Sequence, residues 1–209
     1  MARTQVFFSV VVAAIASLTT LAFPPIAVAQ GVISEWTTVK PPPAPELKTV
    51  TVDPANTAIL VIDFSDACSA NPRCAAAIPK VKQLLANARA HHMLVVYTTH
   101  GTVKTLKDVT PMPGEQTVVG HANKFADTGL DAILKAHGIT SVIVMGETPN
   151  GSPLFTCMGA ASLGYKVVVP VDTIPGNSPY AEQTAVWAVA NDPVVGNMST
   201  LTSVDKIMF

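Results

Sequence analysis

Thr57-Ala-Ile-Leu-Val-Ile-Asp63 is an uninterrupted apolar run closed by an acid. A run this short, with no polar alternation, reads as a strand covered on both faces, the pattern of a parallel sheet between helical layers. Met93–Tyr97, Ser141–Met145 and Lys166–Pro170 read the same way. Between them lie helical spacings. Ala75–Ala90 puts Ile78, Val81, Leu84, Leu85 and Ala88 on one stripe, Thr128–His137 is stopped by Gly138, Gly151–Leu163 is small-residue helix ended by Gly164, and Tyr180–Ala190 closes the series. Strand alternating with helix predicts an α/β fold: a doubly wound, mostly parallel sheet with helices on both faces, a Rossmann-type three-layer sandwich. Gly101–Thr117, with Pro111, Pro113 and Gly114, reads as a loop, and Ser199–Phe209 as a source of an edge strand. Ligands of such sheets bind outside the carboxyl ends of the strands, near the switch point. Asp63, His100, the segment after Met145 and Asp172 are therefore expected on one edge.

The flanks bound the domain. Arg3 precedes an apolar run from Val6 to Phe23, followed by Pro24-Pro25 and an Ala27-Val-Ala29 step. Residues 1–29 thus read as a secretory signal peptide, with the prolines and the small-residue step telling against a membrane anchor. Residues 30–54 carry Pro41–Pro43, Pro45 and Pro54 and form a proline-rich arm, either a tether, an edge-hugging segment or plain disorder. Residues 55–209 suffice for one domain with its own core. The expected location is periplasmic or secreted, with no membrane contact after cleavage.

Lys and Arg number 13 against 14 Asp and Glu, and no basic patch is present, so nucleic acid is excluded as a partner. Low charge with many small apolar residues suits a homo-oligomer. Of three cysteines, Cys68 and Cys74 flank Asn71-Pro72 and read either as an intraloop disulfide or as two buried thiols. Cys157 reads as a buried helix residue.

Asp63 is the first chemical candidate, because a carboxyl ending a buried strand is poorly solvated and suited to general acid or base work. The second is Gly146-Glu-Thr-Pro-Asn-Gly-Ser152-Pro-Leu-Phe-Thr-Cys157, where a strand, a tight turn and a helix start follow each other. Free N–H groups at a helix start suit an oxyanion. Taken locally, Ser152 reads as the N-cap with Pro153 at N1, and as a nucleophile only second.

In order along the chain, Thr57–Phe64, Phe125-Ala-Asp-Thr128-Gly-Leu130, Gly146–Thr156 and Gly164–Asp172 resemble the isochorismatase-like hydrolases, the cysteine hydrolase superfamily. The resemblance implies a triad of an Asp base, a Lys and a Cys nucleophile, with an oxyanion hole of backbone amides. Asp63 matches the Asp. Ser152 stands at the nucleophile position, and Cys157, five residues on, is too far along the helix to replace it. Lys124, beside Phe125, is the nearest lysine, with His121 its rival and a solvated surface residue the alternative for it. Thr148 and Asn150 in the turn, with Phe64 and His100 at strand ends, are the oxyanion- and substrate-binding positions.

A serine needs a stronger base than a thiol does. The true isochorismatases of the superfamily lack the Cys and protonate a vinyl ether through the Asp. The expectation is therefore an exported hydrolase of a small molecule, cleaving an amide C–N or vinyl-ether bond with Asp63 as acid/base. The alternative is a non-catalytic periplasmic binding protein on the same fold. No Asp-x-His pattern follows Asp63, His91-His92 read as helix-end residues, and no dinucleotide or P-loop glycine pattern occurs, so neither metal nor cofactor is expected.

Overall fold

The computed structural model describes residues 31–209. The signal-peptide reading of residues 1–29 lies outside them. Residues 1–42 and 43–209 are separate units; the described part of the first holds one helical turn, α1 (Val32–Glu35).

In the second unit all six residues of β2 (Thr57–Ile62) are buried, as the unbroken apolar run requires. Around it a six-stranded sheet has the order β4-β3-β2-β5-β6-β7. Its other members are β3 (Leu94–Thr99), β4 (Gln116–Val119), β5 (Ser141–Gly146), β6 (Lys166–Pro170) and β7 (Ser199–Thr202), and each neighbouring pair is parallel. Side chains alternate between the faces. Ile59, Val61, Val95, Tyr97 and Met145 pack with Val81, Leu84 and Leu85 of α2 (Pro72–Ala90). Ala58, Leu60, Val96, Val142 and Val144 face the opposite layer, formed by α3 (Leu130–Ala136), α4 (Ser152–Ser162), α5 (Pro179–Asn191) and α6 (Val195–Met198). The doubly wound α/β architecture is thus observed.

The differences from expectation have local causes. α2 starts three residues early because Asn71 accepts a hydrogen bond from the Arg73 N–H and Pro72 occupies the first turn, where its missing donor costs nothing. The end of the expected Gly101–Thr117 loop is strand β4, an edge strand with only Val118 buried, so its sequence carries no apolar signal. Within the proline-rich stretch, β1 (Val50–Thr51) pairs with β8 (Ile207–Met208), and the Lys48 N–H donates to the Leu201 carbonyl at 2.9 Å.

The chain leaves β2 for β3 and β4 on one side and returns to β5 on the other. The switch point is therefore between β2 and β5, and their carboxyl ends open the crevice where ligands bind in such sheets. Gly146 permits the close approach there: a Cβ on it would lie 2.2 Å from the Ile62 carbonyl oxygen.

Candidate active site

A cavity of ≈ 280 Å³ opens at this switch point. Asp63 and Phe64 from the end of β2, Thr99 and His100 from the end of β3, and Glu147 and Thr148 from the end of β5 all line it. Asp63 takes the left-handed backbone region at φ 53°, which an Asp tolerates better than most residues. Its N–H donates to the Thr98 carbonyl at 3.1 Å.

Lys124 is completely buried, and its Nζ lies 2.8 Å from Asp63 Oδ1. The ammonium also donates to the carbonyls of Gly120 at 3.3 Å and Thr99 at 3.5 Å. The Thr98 hydroxyl donates to the same Asp63 oxygen at 3.3 Å, while Oδ2 makes no hydrogen bond to a described residue. A buried ammonium is tolerated only when paired and fully hydrogen-bonded, and these contacts meet both conditions. The solvated-surface alternative for Lys124 is overturned. So is His121 as its rival: that ring is exposed and packs edge-on against His100, with centroids 5.8 Å apart.

The Lys124 segment is docked on α4. Its N–H donates to Thr156 Oγ1 at 3.3 Å, and the Thr156 hydroxyl donates to the Ala122 carbonyl at 3.4 Å. Asn123 sits so tightly over Gly159 that a Cβ there would lie 2.4 Å from its Oδ1. Thr128 Oγ1 closes the turn by donating to the Lys124 carbonyl at 2.5 Å, and Phe125 stacks on Tyr165 at 5.7 Å. The Phe-x-x-Thr-x-Leu stretch is thus a clamp that fixes the lysine before it.

Ser152 is not the N-cap. Gly151 holds that position, Ser152 is the first residue of α4, Pro153 the second, and no side chain caps the helix. The cap expectation fails because the tight turn donates the Gly151 N–H to the Thr148 carbonyl at 2.8 Å, shifting the helix start by one residue. The Ser152 hydroxyl, half-buried, makes no hydrogen bond to a described residue, and Ser152 is not among the cavity residues. The backbone N–H groups of Thr148 and Ser152 also lack partners among the described residues, whereas Leu154 and Phe155 donate to Pro149 and Gly151. Two donors at the ends of the turn are thus free to bond a ligand, the kind of group an oxyanion hole uses.

Two expected positions lie elsewhere. Asn150 is exposed and outside the cavity. Asp172 does sit at the end of β6, but its carboxylate accepts the Val204 N–H at 3.1 Å and serves the tail. Cys157 is fully buried, and desolvation pushes its thiol up to about 12, far from a reactive thiolate. Cys68 and Cys74 are joined in a disulfide. Together with Glu147 they are the one group of metal-ligand type among the described residues, and two of its three members are spent on each other.

Sequence reasoning missed Glu147. Its Oε1 accepts both the N–H and the hydroxyl of Ser65 at 2.8 Å, tying the end of β5 to the segment after Asp63. An acid directly after a strand-ending glycine was the available signal. The hydrogen-bonded span of 82 residues was not legible.

Among known proteins, the sequence model of the isochorismatase domain matches residues 57–203. The chain is 33% identical over 132 residues to a streptothricin hydrolase of Streptomyces noursei, a match covering 55% of this chain and 48% of that relative. It therefore spans about half the length of that curated relative. A cysteine hydrolase from Pseudomonas syringae pv. phaseolicola superposes with a TM-score of 0.68 at 18% identity, covering 78% of this chain and 95% of that one. The N-carbamoylsarcosine amidase of Thermoplasma acidophilum superposes with a TM-score of 0.63 at 19% identity, covering 72% and 97%.

Proposed function

The chain belongs to the isochorismatase family, and from that premise we propose that it hydrolyses a small molecule at an amide-type C–N bond, with Asp63 as acid/base and Ser152 at the nucleophile position. The observation that carries this reading is the buried Lys124–Asp63 pair at the switch-point cavity. The 33%-identical streptothricin hydrolase and the structurally similar amidase support a C–N substrate over a vinyl ether.

The chain's own groups suffice for the steps. Asp63 Oδ2 accepts a proton from the attacking hydroxyl, of Ser152 or of water, as its oxygen bonds to the carbonyl carbon. The carbonyl π electrons move onto oxygen, which the Thr148 and Ser152 N–H groups stabilise. The C–N bond then breaks, and the Asp63 proton leaves with the amine. Lys124 holds the carboxyl in place throughout and offsets the negative charge that builds beside it. When Ser152 attacks, water cleaves the resulting ester by the same sequence.

The test is a hydrolysis screen over amides, carbamoyl compounds and vinyl ethers with the wild type, Asp63→Asn and Ser152→Ala. Loss of activity in both variants supports a serine nucleophile; for Asp63→Asn the expected fall is about 100-fold or more, the scale of one general acid–base group. Loss in the Asp63 variant alone supports acid catalysis with direct attack by water. Undiminished turnover in Asp63→Asn would refute the acid/base role. Ligand binding without turnover of any substrate would favour the binding protein.

The reading includes export, which the signal-like residues 1–29 and the Cys68–Cys74 disulfide support, since disulfides persist in oxidising compartments. After fractionation the chain should be found outside the cytoplasm with its N-terminus at Gln30; a chain held in the cytoplasm with Met1 retained would refute the reading.

A further inference from the structure

The cavity contains an acid that the hydrolytic steps leave unused. Glu147 lines it half-buried, and its two oxygens have unequal surroundings. Oε1 is satisfied by Ser65. Oε2 lies 3.2 Å from Cys74 Sγ, but that sulfur is bonded to Cys68 and has no proton to donate. No ion pair to Glu147 exists among the described residues, whereas the other cavity acid, Asp63, is matched by Lys124. Lys104 also lines the cavity; it is exposed and forms no ion pair among the described residues. Of the two cavity acids, Asp63 is therefore ion-paired and Glu147 is not. A carboxylate oxygen without a protein donor, on a residue that lines a cavity, is free to take a charge-assisted hydrogen bond from a ligand, the strong kind of hydrogen bond.

We propose that Glu147 selects the substrate: the cavity takes small amides that also bear an ammonium or amidinium group, which Glu147 Oε2 binds. The size of the cavity agrees with a compact molecule, being at the lower end of ligand pockets. The proposal deepens the hydrolase reading where turnover is concerned, but the binding preference stands without it. The competing account is that Glu147 is only a strut for Ser65. Glu147→Gln separates the two, because the glutamine oxygen still accepts from Ser65 while the charge is gone.

The experiment uses full-length protein and two matched probe pairs: 4-aminobutanamide with butanamide, and 6-aminohexanamide with hexanamide. Calorimetric titration is done on Ser152→Ala protein with and without Glu147→Gln, so that turnover through the serine does not intrude. The expected result is that at least one amine binds about tenfold tighter than its neutral partner, the scale of one charge-assisted bond, and that Glu147→Gln removes the preference. In protein with native Ser152, Glu147→Gln should then raise KM for the amine with little change in kcat. Equal binding within both pairs, or no binding of either amine, overturns the proposal. Equal weakening of amine and neutral probe by Glu147→Gln overturns it in favour of the strut. Binding with the expected preference, but no hydrolysis of either amine by protein with native Ser152, would uphold the charge selection and count against the hydrolase reading alone.

Discussion

Replacing Lys124 by Met tests the centre of the site. The lysine is wholly buried, with its Nζ 2.8 Å from Asp63 Oδ1 and within 3.5 Å of two backbone carbonyls. Methionine fills a similar volume but, among the described residues, leaves the Asp63 carboxylate with only the Thr98 hydroxyl at 3.3 Å. Removing one member of a buried pair costs about 3–5 kcal/mol, because the other charge is left uncompensated. Asp63 retains 13% side-chain exposure, so water relieves part of the loss and the lower end, about 3 kcal/mol, is expected. The assay is urea unfolding followed by far-UV circular dichroism, with an unchanged m-value marking an unchanged unfolding reaction. Asp63→Asn/Lys124→Met removes both charges and should be more stable than the two single losses summed, with a coupling energy of about 1.5 kcal/mol or more. A Lys124→Met protein within about 0.5 kcal/mol of the wild type, the range of ordinary surface substitutions, would refute the buried-pair argument. Strict additivity in the double variant would refute the coupling.

The Cys68–Cys74 bond closes a short loop, at a sequence separation of 6, that carries cavity residue Asn71 and begins directly after cavity residue Ala67. On the loop-entropy account, Cys74→Ser should lower unfolding stability by about 2 kcal/mol, and an unchanged urea midpoint would count against it. Cys157, with its thiol pushed up to about 12 by burial, should resist iodoacetamide in the native protein at neutral pH and react fully in urea. Native-state alkylation that abolishes activity would instead make it functional. Hydrogen bonds from Lys135 and then Tyr165 hold the Asp131 carboxyl below the usual range. Burial would raise the Glu182 carboxyl, but hydrogen bonds from Arg73 and the Gly176 N–H, with the Arg73 charge, bring it below its ordinary value. Both shifts are depressions, so their stabilisation is present above the unfolded carboxylate value and is lost as acid protonates the folded groups, below about pH 4. Asp131→Asn and Glu182→Gln should each flatten the acid limb of stability against pH; an unchanged limb would show that these pairs contribute nothing.

What was legible in the sequence was what short-range pattern encodes. The unbroken apolar run before Asp63 could only be a strand covered on both faces, and its repetition between helical stripes determined a parallel sheet with helices on each side. From that followed the edge on which Asp63, His100 and the turn after Met145 meet. β4 escaped because an edge strand with one buried residue has no pattern to show. The start of α4 was misread by one residue because the choice between Gly151 and Ser152 rests on turn hydrogen bonds rather than on cap preference.

The site divides along the same line. Residue order alone determined that Asp63 and Ser152 were the positions to inspect. Whether Lys124 was a surface cation or the partner of Asp63 was decided only by tertiary contacts, through Asn123 on Gly159 and the Lys124 N–H on Thr156, which seal the ammonium against the carboxylate. That Glu147 Oε2 lacks a donor was likewise invisible until the sulfur beside it proved to be half of a disulfide. Pattern encodes which face of an element is buried; which charges meet across the fold depends on contacts between residues far apart in the chain, and for those the sequence has no period to read.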